Sequence, residues 1–185
     1  AKKFGFAAVE AKVDFAEVME RIHRVIAEVE PHDSIERYSG LGVDCVTGAA
    51  TIVSPWEVEV NGKRISARSI VIATGARPAI PAIKGLDQVP YFTSDTIWNL
   101  RENPGRLLVL GAGPIGCELA QAFARLGAQV TLLGRSAHIM PREDTDVSQF
   151  IETVFAQENI ALLLNAEAIE VLSGDDGYQL RYKKG

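Results

Sequence analysis

Three glycines carry the clearest chemistry in this chain. In Leu107-Leu108-Val109-Leu110-Gly111-Ala112-Gly113-Pro114-Ile115-Gly116 a short apolar strand runs into a glycine fingerprint that opens a helix. Gly111 lets the chain turn sharply off the strand, Gly113 removes a side chain where backbone must approach a phosphate, and Gly116 lets helix and strand pack closely. The unpaired N–H groups and positive dipole end of that helix, with Pro114 and Ile115 in its first turn, then face an anion. A glycine-rich turn can match this pattern by chance, so its surroundings matter.

The surroundings fit. An amphipathic run (Leu119, Ala120, Phe123, Ala124, Leu126) follows, then Gly127 as a helix stop, then the strand Gln129-Val130-Thr131-Leu132-Leu133. Strand, glycine turn, helix and strand make a βαβ unit, the mark of an α/β, Rossmann-like fold that holds a dinucleotide by its pyrophosphate. In a unit selective for NAD, an acid about 20 residues after the glycines accepts from the ribose 2′-OH. Here that place holds Gly134, followed by Arg135. An uncharged residue avoids repelling a 2′-phosphate and an adjacent guanidinium can pair with it, so NADP(H) is favoured over NAD(H). Arg142 offers a second cation. The alternative for both arginines is a solvated loop, and His138 reads as loop surface.

The 185-residue chain is 47% hydrophobic and 23% charged, an ordinary soluble composition. Its net charge of −5 comes with no dense Lys/Arg block, which argues against nucleic acid or anionic lipid as partner. No apolar run is long enough to span a membrane and no signal-peptide pattern is present, so the reading is cytoplasmic. Cys45 and Cys117 match neither a CxxC pair nor a zinc pattern, and His23, His32 and His138 are scattered; no metal site is expected and both cysteines read as core.

Other elements follow from pattern. Asp14 and Glu17 suggest a capping box before an apolar stripe of Phe15, Val18, Met19, Ile22, Val25, Ile26 and Val29, ending near Pro31. Short strands are expected at 43–46, 50–53, 57–60 and 63–67, with Asn61-Gly62 as a hairpin turn. Ser69 to Ala73 reads as a strand buried on both faces, ending at Thr74-Gly75. Pro78, Pro81, Gly85 and Pro90 punctuate a connector and candidate domain boundary. Beyond it come a short helix around Asp95 to Arg101, the glycine unit, a helix carrying Val147, Phe150, Ile151, Val154 and Phe155, a strand at 160–164, and a closing hairpin around Gly174-Asp175-Asp176-Gly177.

Two motifs in fixed order, Ile70-Val71-Ile72-Ala73-Thr74-Gly75-Ala76-Arg77-Pro78 and Gly111-Ala112-Gly113-Pro114-Ile115-Gly116-Cys117-Glu118, resemble those of the class I pyridine nucleotide-disulfide oxidoreductases, near their mercuric reductase and dihydrolipoamide dehydrogenase branches. Thr93-Ser94-Asp95 is similar to a Ser-Asp pair of that family. The resemblance implies the C-terminal part of an FAD domain over 1–88 and an NAD(P)-binding domain, C-terminally incomplete, over 89–185. It places Ala73, Thr74 and Gly75 near FAD, the alternative being a turn chosen for geometry. Glu118 matches a glutamate beside the flavin ring, the alternative being a surface carboxylate near a helix N-terminus. Pro114 stands where some relatives carry an aromatic gate.

A complete member would add an FAD fingerprint, a Cys-x4-Cys pair and a dimerisation domain. The resemblance therefore implies an internal fragment, inactive alone, of an FAD-dependent enzyme passing hydride from NAD(P)H to flavin and on to an acceptor such as a disulfide or Hg(II). It implies a homodimer for the intact protein, not formed through this part. The rival reading is an NAD(P)-sensing module without redox catalysis.

Overall fold

Asp14 starts the first helix, α1 (Phe15–Val29), by accepting the Glu17 backbone N–H on Oδ1 at 3.1 Å, which satisfies one of the donors a helix N-terminus leaves open. The computed structural model describes residues 5, 12–175 and 177–185. Two compact units divide the chain: Arg21–Arg77, and Pro78–Gly185 with the segment up to Glu20. Only the start of the α1 stripe becomes core: Phe15 and Met19 are buried, whereas Val25, Ile26 and Val29 are exposed.

Within Arg21–Arg77, the short helix α2 (Ile35–Gly40) is capped by Ser34, whose Oγ accepts the Arg37 N–H at 3.2 Å. Three strands, β1 (Ala50–Ser54), β2 (Glu57–Val60) and β3 (Lys63–Ser66), form an antiparallel meander. Asn61 and Gly62 make the expected two-residue turn with φ of 52° and 73°, between the paired Val60 and Lys63. Two expected strands are absent. Residues 43–46 carry no ladder, and Cys45 among them is exposed, not core. Residues 69–73 are likewise outside any strand, with Val71 86% and Ile72 71% exposed. The reason is pairing: an apolar strand needs a neighbour for its N–H and C=O groups, and no strand among the described residues pairs with 69–73.

The other unit is built on parallel pairing. Strand β4 (Arg106–Leu110), helix α3 (Pro114–Arg125), strand β5 (Gln129–Leu133), helix α4 (Thr145–Gln157) and strand β6 (Ala161–Leu163) follow in order, and the sheet runs β4-β5-β6. Arg106 pairs with Gln129 and Leu110 with Leu133. The core of this unit includes Met19, Ala120, Phe123, Val130, Leu132, Ile139 and Phe155, and the Phe15 and Phe123 rings meet at 6.0 Å, tilted by 50°. Each such large apolar side chain contributes about 1.5–3 kcal/mol by leaving water. Gly127, at φ 97°, ends α3 as expected, and Arg125 at its last turn grips Glu158 after α4 through Nη2–Oε1 at 2.6 Å and Nε–Oε2 at 3.2 Å.

A hairpin of β7 (Ala166–Gly174) and β8 (Gly177–Lys184) closes the chain; Asp176 of its expected turn lies outside the described residues. The proline-rich connector is tied to this hairpin: Val171 N–H donates to Lys84 O at 2.8 Å, and Lys84 Nζ meets Glu170 Oε1 at 2.6 Å. The expected helix around 95–101 shrinks to one turn, Ile97–Asn99. Thr96 Oγ1 takes the Thr93 N–H and Thr93 Oγ1 takes the Asp95 N–H, so side chains compete for the groups a longer helix would use. No helix among the described residues is long and apolar enough to cross a membrane.

Candidate functional site

The three fingerprint glycines are needed for three different reasons. Gly111 continues the sheet ladder by donating its N–H to Leu133 O at 2.9 Å, then turns at φ 112°, a conformation open to glycine and costly for other residues. Gly116 lies in the first turn of α3 against the strand end, where an added Cβ would collide with the Gly111 carbonyl oxygen. Gly113 differs from both. Its φ of −80° and ψ of 179° suit any residue, and an added Cβ would meet no protein atom within 4 Å. Neither backbone strain nor packing demands glycine at 113; the space in front of it is what glycine leaves clear.

The peptide before Gly113 is oriented from below. The Ala112 carbonyl accepts the Met140 N–H at 2.6 Å and the Cys117 Sγ–H at 3.7 Å. A trans peptide holds its N–H opposite its C=O, so the Gly113 N–H faces away from these buried donors, and it has no acceptor among the described residues. Pro114 opens α3 with a fixed φ and no N–H to leave unpaired. The first turn of α3 contains no acid and no side-chain cap, whereas α1 carries Glu17 and α4 carries Asp146 in theirs. The positive end of α3 is thus uncompensated by the protein, with open donors and a cleared approach. These features fit a phosphate.

Ile115 is exposed beside this cradle, and Cys117 is buried beneath it as expected. Burial pushes the Cys117 thiol from the ordinary value of 9.0 up to about 11, with the Met140 backbone working against the rise and the Glu118 charge adding to it. Glu118 itself is exposed on α3.

Gly134 follows β5 directly and is buried. The structure supplies a reason for glycine there that the sequence did not: an added Cβ would come within 2.7 Å of Ala112 Cβ and 3.3 Å of Leu164 Cδ2. Packing against the fingerprint therefore accounts for Gly134, and any discrimination between nucleotides falls to its neighbours. Arg135 and Arg142 are exposed at the two ends of the following loop, and neither is ion-paired among the described residues. His138 is not plain surface: its Nδ1 lies 3.1 Å from Glu152 Oε1, and that oxygen accepts the Ile139 N–H, also at 3.1 Å. Glu152 escaped the sequence reading, because nothing local links it to a loop more than ten positions earlier.

Ala73, Thr74 and Gly75 belong to the other unit, exposed and outside any strand, with Gly75 at φ 67°. They form no cradle among the described residues, so no reaction step is assigned to them. No group of three or more metal-ligating side chains occurs among the described residues.

A parallel βαβ unit with an open-donor glycine loop defines an α/β fold of the dinucleotide-binding type. The chain belongs to the pyridine nucleotide-disulphide oxidoreductase family, whose model it matches over residues 6–185. It is 34% identical over 162 residues to a mercuric reductase of Lysinibacillus sphaericus, covering 88% of this chain and 30% of that protein. Among solved structures, the HOCl-induced flavoprotein disulfide reductase RclA from Escherichia coli superposes with a TM-score of 0.74 at 28% identity, over 94% of this chain and 40% of that one. An engineered water-forming NADPH oxidase bound to NADPH gives a TM-score of 0.54 at 27% identity, over 68% of this chain and 30% of that one. The chain thus spans well under half the length of these relatives.

Proposed function

We propose that this chain is the nicotinamide-dinucleotide-binding part of an FAD-dependent oxidoreductase that takes hydride from NADPH. The observation that carries the reading is Gly113, a glycine without a conformational or packing reason, whose outward N–H stands over the acid-free start of α3. The Gly113, Ile115 and Gly116 amides would hold the pyrophosphate, with Pro114 fixing the first turn and Gly111 the bend that aims it. Arg135 and Arg142 would meet the ribose 2′-phosphate. The engineered NADPH oxidase supports this assignment: three consecutive replacements give it Ala-Arg-Ser, a small residue, an arginine and a serine, as in Gly134-Arg135-Ser136 here.

When bound, the reduced nicotinamide supplies the hydride, and the chain's own work is to bind and orient it. Residues 1–88 are read as part of an FAD domain and 89–185 as the NAD(P) domain, with Ala73, Thr74 and Gly75 on the flavin side and Glu118 at the passage between nicotinamide and flavin. The acceptor is left unassigned, since the relatives above are named for mercuric ion, a disulfide and oxygen reduced to water.

Calorimetric titration with NADPH and NADH at fixed ionic strength tests the reading. NADPH binds more tightly, and Arg135→Ala weakens NADPH by about 1.5–3 kcal/mol, the range for hydrogen bonds to charged groups, while leaving NADH nearly unchanged. Equal losses for both nucleotides would remove Arg135 from the assignment, and no binding of either would remove the function.

A further inference from the structure

The loop between β5 and α4 is held at its centre by one carboxylate. Glu152 Oε1, on α4, accepts the Ile139 backbone N–H at 3.1 Å and faces His138 Nδ1 at 3.1 Å. The Ile139 side chain is wholly buried. Next along the chain, Met140 adopts φ 46°, donates its N–H to Ala112 O inside the fingerprint at 2.6 Å, and accepts on its carbonyl from Ser148 Oγ of α4 at 3.4 Å and from Glu143 N at 3.0 Å. Three consecutive residues are thus fastened to α4 and to the glycine loop, while Arg135 and Arg142 on either side reach solvent with no carboxylate partner among the described residues.

We infer that Glu152 is a positioning residue for nucleotide selection, setting the arc on which Arg135 and Arg142 stand; this rests on the reading that these arginines meet a 2′-phosphate. Two physical points carry it. A mid-loop N–H drawn toward the core needs an acceptor or its burial is costly, and at Ile139 no backbone carbonyl serves. A loop ordered before binding also saves the cost of ordering it on binding. The charge on Glu152 is spent on Ile139 and His138, which limits its repulsion of a bound phosphate.

The test titrates the full chain and three variants with NADPH and NADH. Glu152→Ala loses NADPH affinity by about tenfold, equivalent to about 1.4 kcal/mol, and keeps NADH affinity within about twofold, the small change expected where no contact to that ligand is lost. Glu152→Gln, whose amide oxygen still accepts from Ile139, keeps NADPH affinity within about threefold, since the hydrogen bond survives and only its charge assistance goes. A parallel loss of both nucleotides, or no loss of either, in Glu152→Ala would overturn the inference, because a merely structural role moves both together. Arg135→Ala separates the two levels. If it retains full NADPH preference, the reading of the arginines fails and this inference falls with it. If it loses that preference while Glu152→Ala keeps it, only the role given to Glu152 fails.

Discussion

Gly113 and Gly116 stand three positions apart in one motif yet answer to different forces, and substitution separates them. At Gly113 alanine fits the backbone and meets no protein atom. The entropy it removes from the unfolded chain favours the fold by about 0.4–1 kcal/mol, offset by a comparable amount because alanine caps helices less well than glycine. Gly113→Ala therefore melts near the wild-type temperature and loses affinity for NADPH and NADH alike. Gly116→Ala drives a methyl into the Gly111 carbonyl and costs about 1–3 kcal/mol of stability as overpacking does, visible as a lowered urea midpoint before any nucleotide is added. Melting and titration of the two variants side by side check both halves. Matching profiles would show that the two glycines share one role. Gly134 belongs with Gly116: its contact with Ala112 means that an acid introduced there tests packing as much as nucleotide preference.

The connector and the final hairpin form the second structural joint in the nucleotide unit. Lys84 Nζ and Arg181 Nη1 both hold the Glu170 carboxylate, at 2.6 Å and 3.1 Å, and Lys84 foremost keeps that carboxyl below the usual 4.5. A lowered carboxyl pKa stabilises the fold above the unfolded value, and that contribution is lost as pH falls through the folded value. Urea midpoints followed downward from pH 6 fall below about pH 4.5, where unfolded carboxylates begin to take up protons, and Glu170→Gln flattens part of that slope; an unchanged slope would mean the pairing is screened away, as exposed ion pairs can be.

How far such elements could be read in advance depended on where their partners lie. The βαβ unit was readable because strand, turn and helix are contiguous and Gly111 and Gly116 answer local demands. Asn61-Gly62 was readable for the same reason. The apolar run 69–73 was not, since hydrophobicity marks a strand while pairing creates one, and pairing depends on segments distant in sequence. Cys45 was misjudged along with residues 43–46, where an expected strand would have covered it. Glu152 was invisible because its value lies in reaching a backbone amide across the fold.

Across the whole molecule, each compact unit carries one cysteine, so thiol labelling reports on the two separately. Cys45 is exposed in Arg21–Arg77, while Cys117 is buried beneath the fingerprint with its thiol at about 11. At neutral pH iodoacetamide modifies Cys45 in the native protein, and Cys117 reacts only when its unit opens. Saturating nucleotide slows Cys117 labelling, roughly 100-fold at a free concentration 100 times Kd, because ligand withdraws the open form by mass action; Cys45 labelling is unaffected. Mass spectrometry of the labelled peptides over time checks this, and a Cys117 rate unchanged by nucleotide would show that its labelling needs no opening of the unit.

The bond from Met140 N–H to Ala112 O has a further consequence, for engineering. The loop leaves β5 at Gly134, which is fixed by its own N–H on Leu163 O at 2.9 Å and by Ala166 N–H on its carbonyl at 3.0 Å, and it is fixed again at Met140. Between those anchors the residue count is a ruler. Changing exposed side chains there, such as Arg135, edits chemistry, whereas adding or deleting one residue would either break the Met140 bond or drag Ala112 with it, turning the peptide that aims Gly113. Any transplanted specificity loop must therefore match this one first in length and only then in charge.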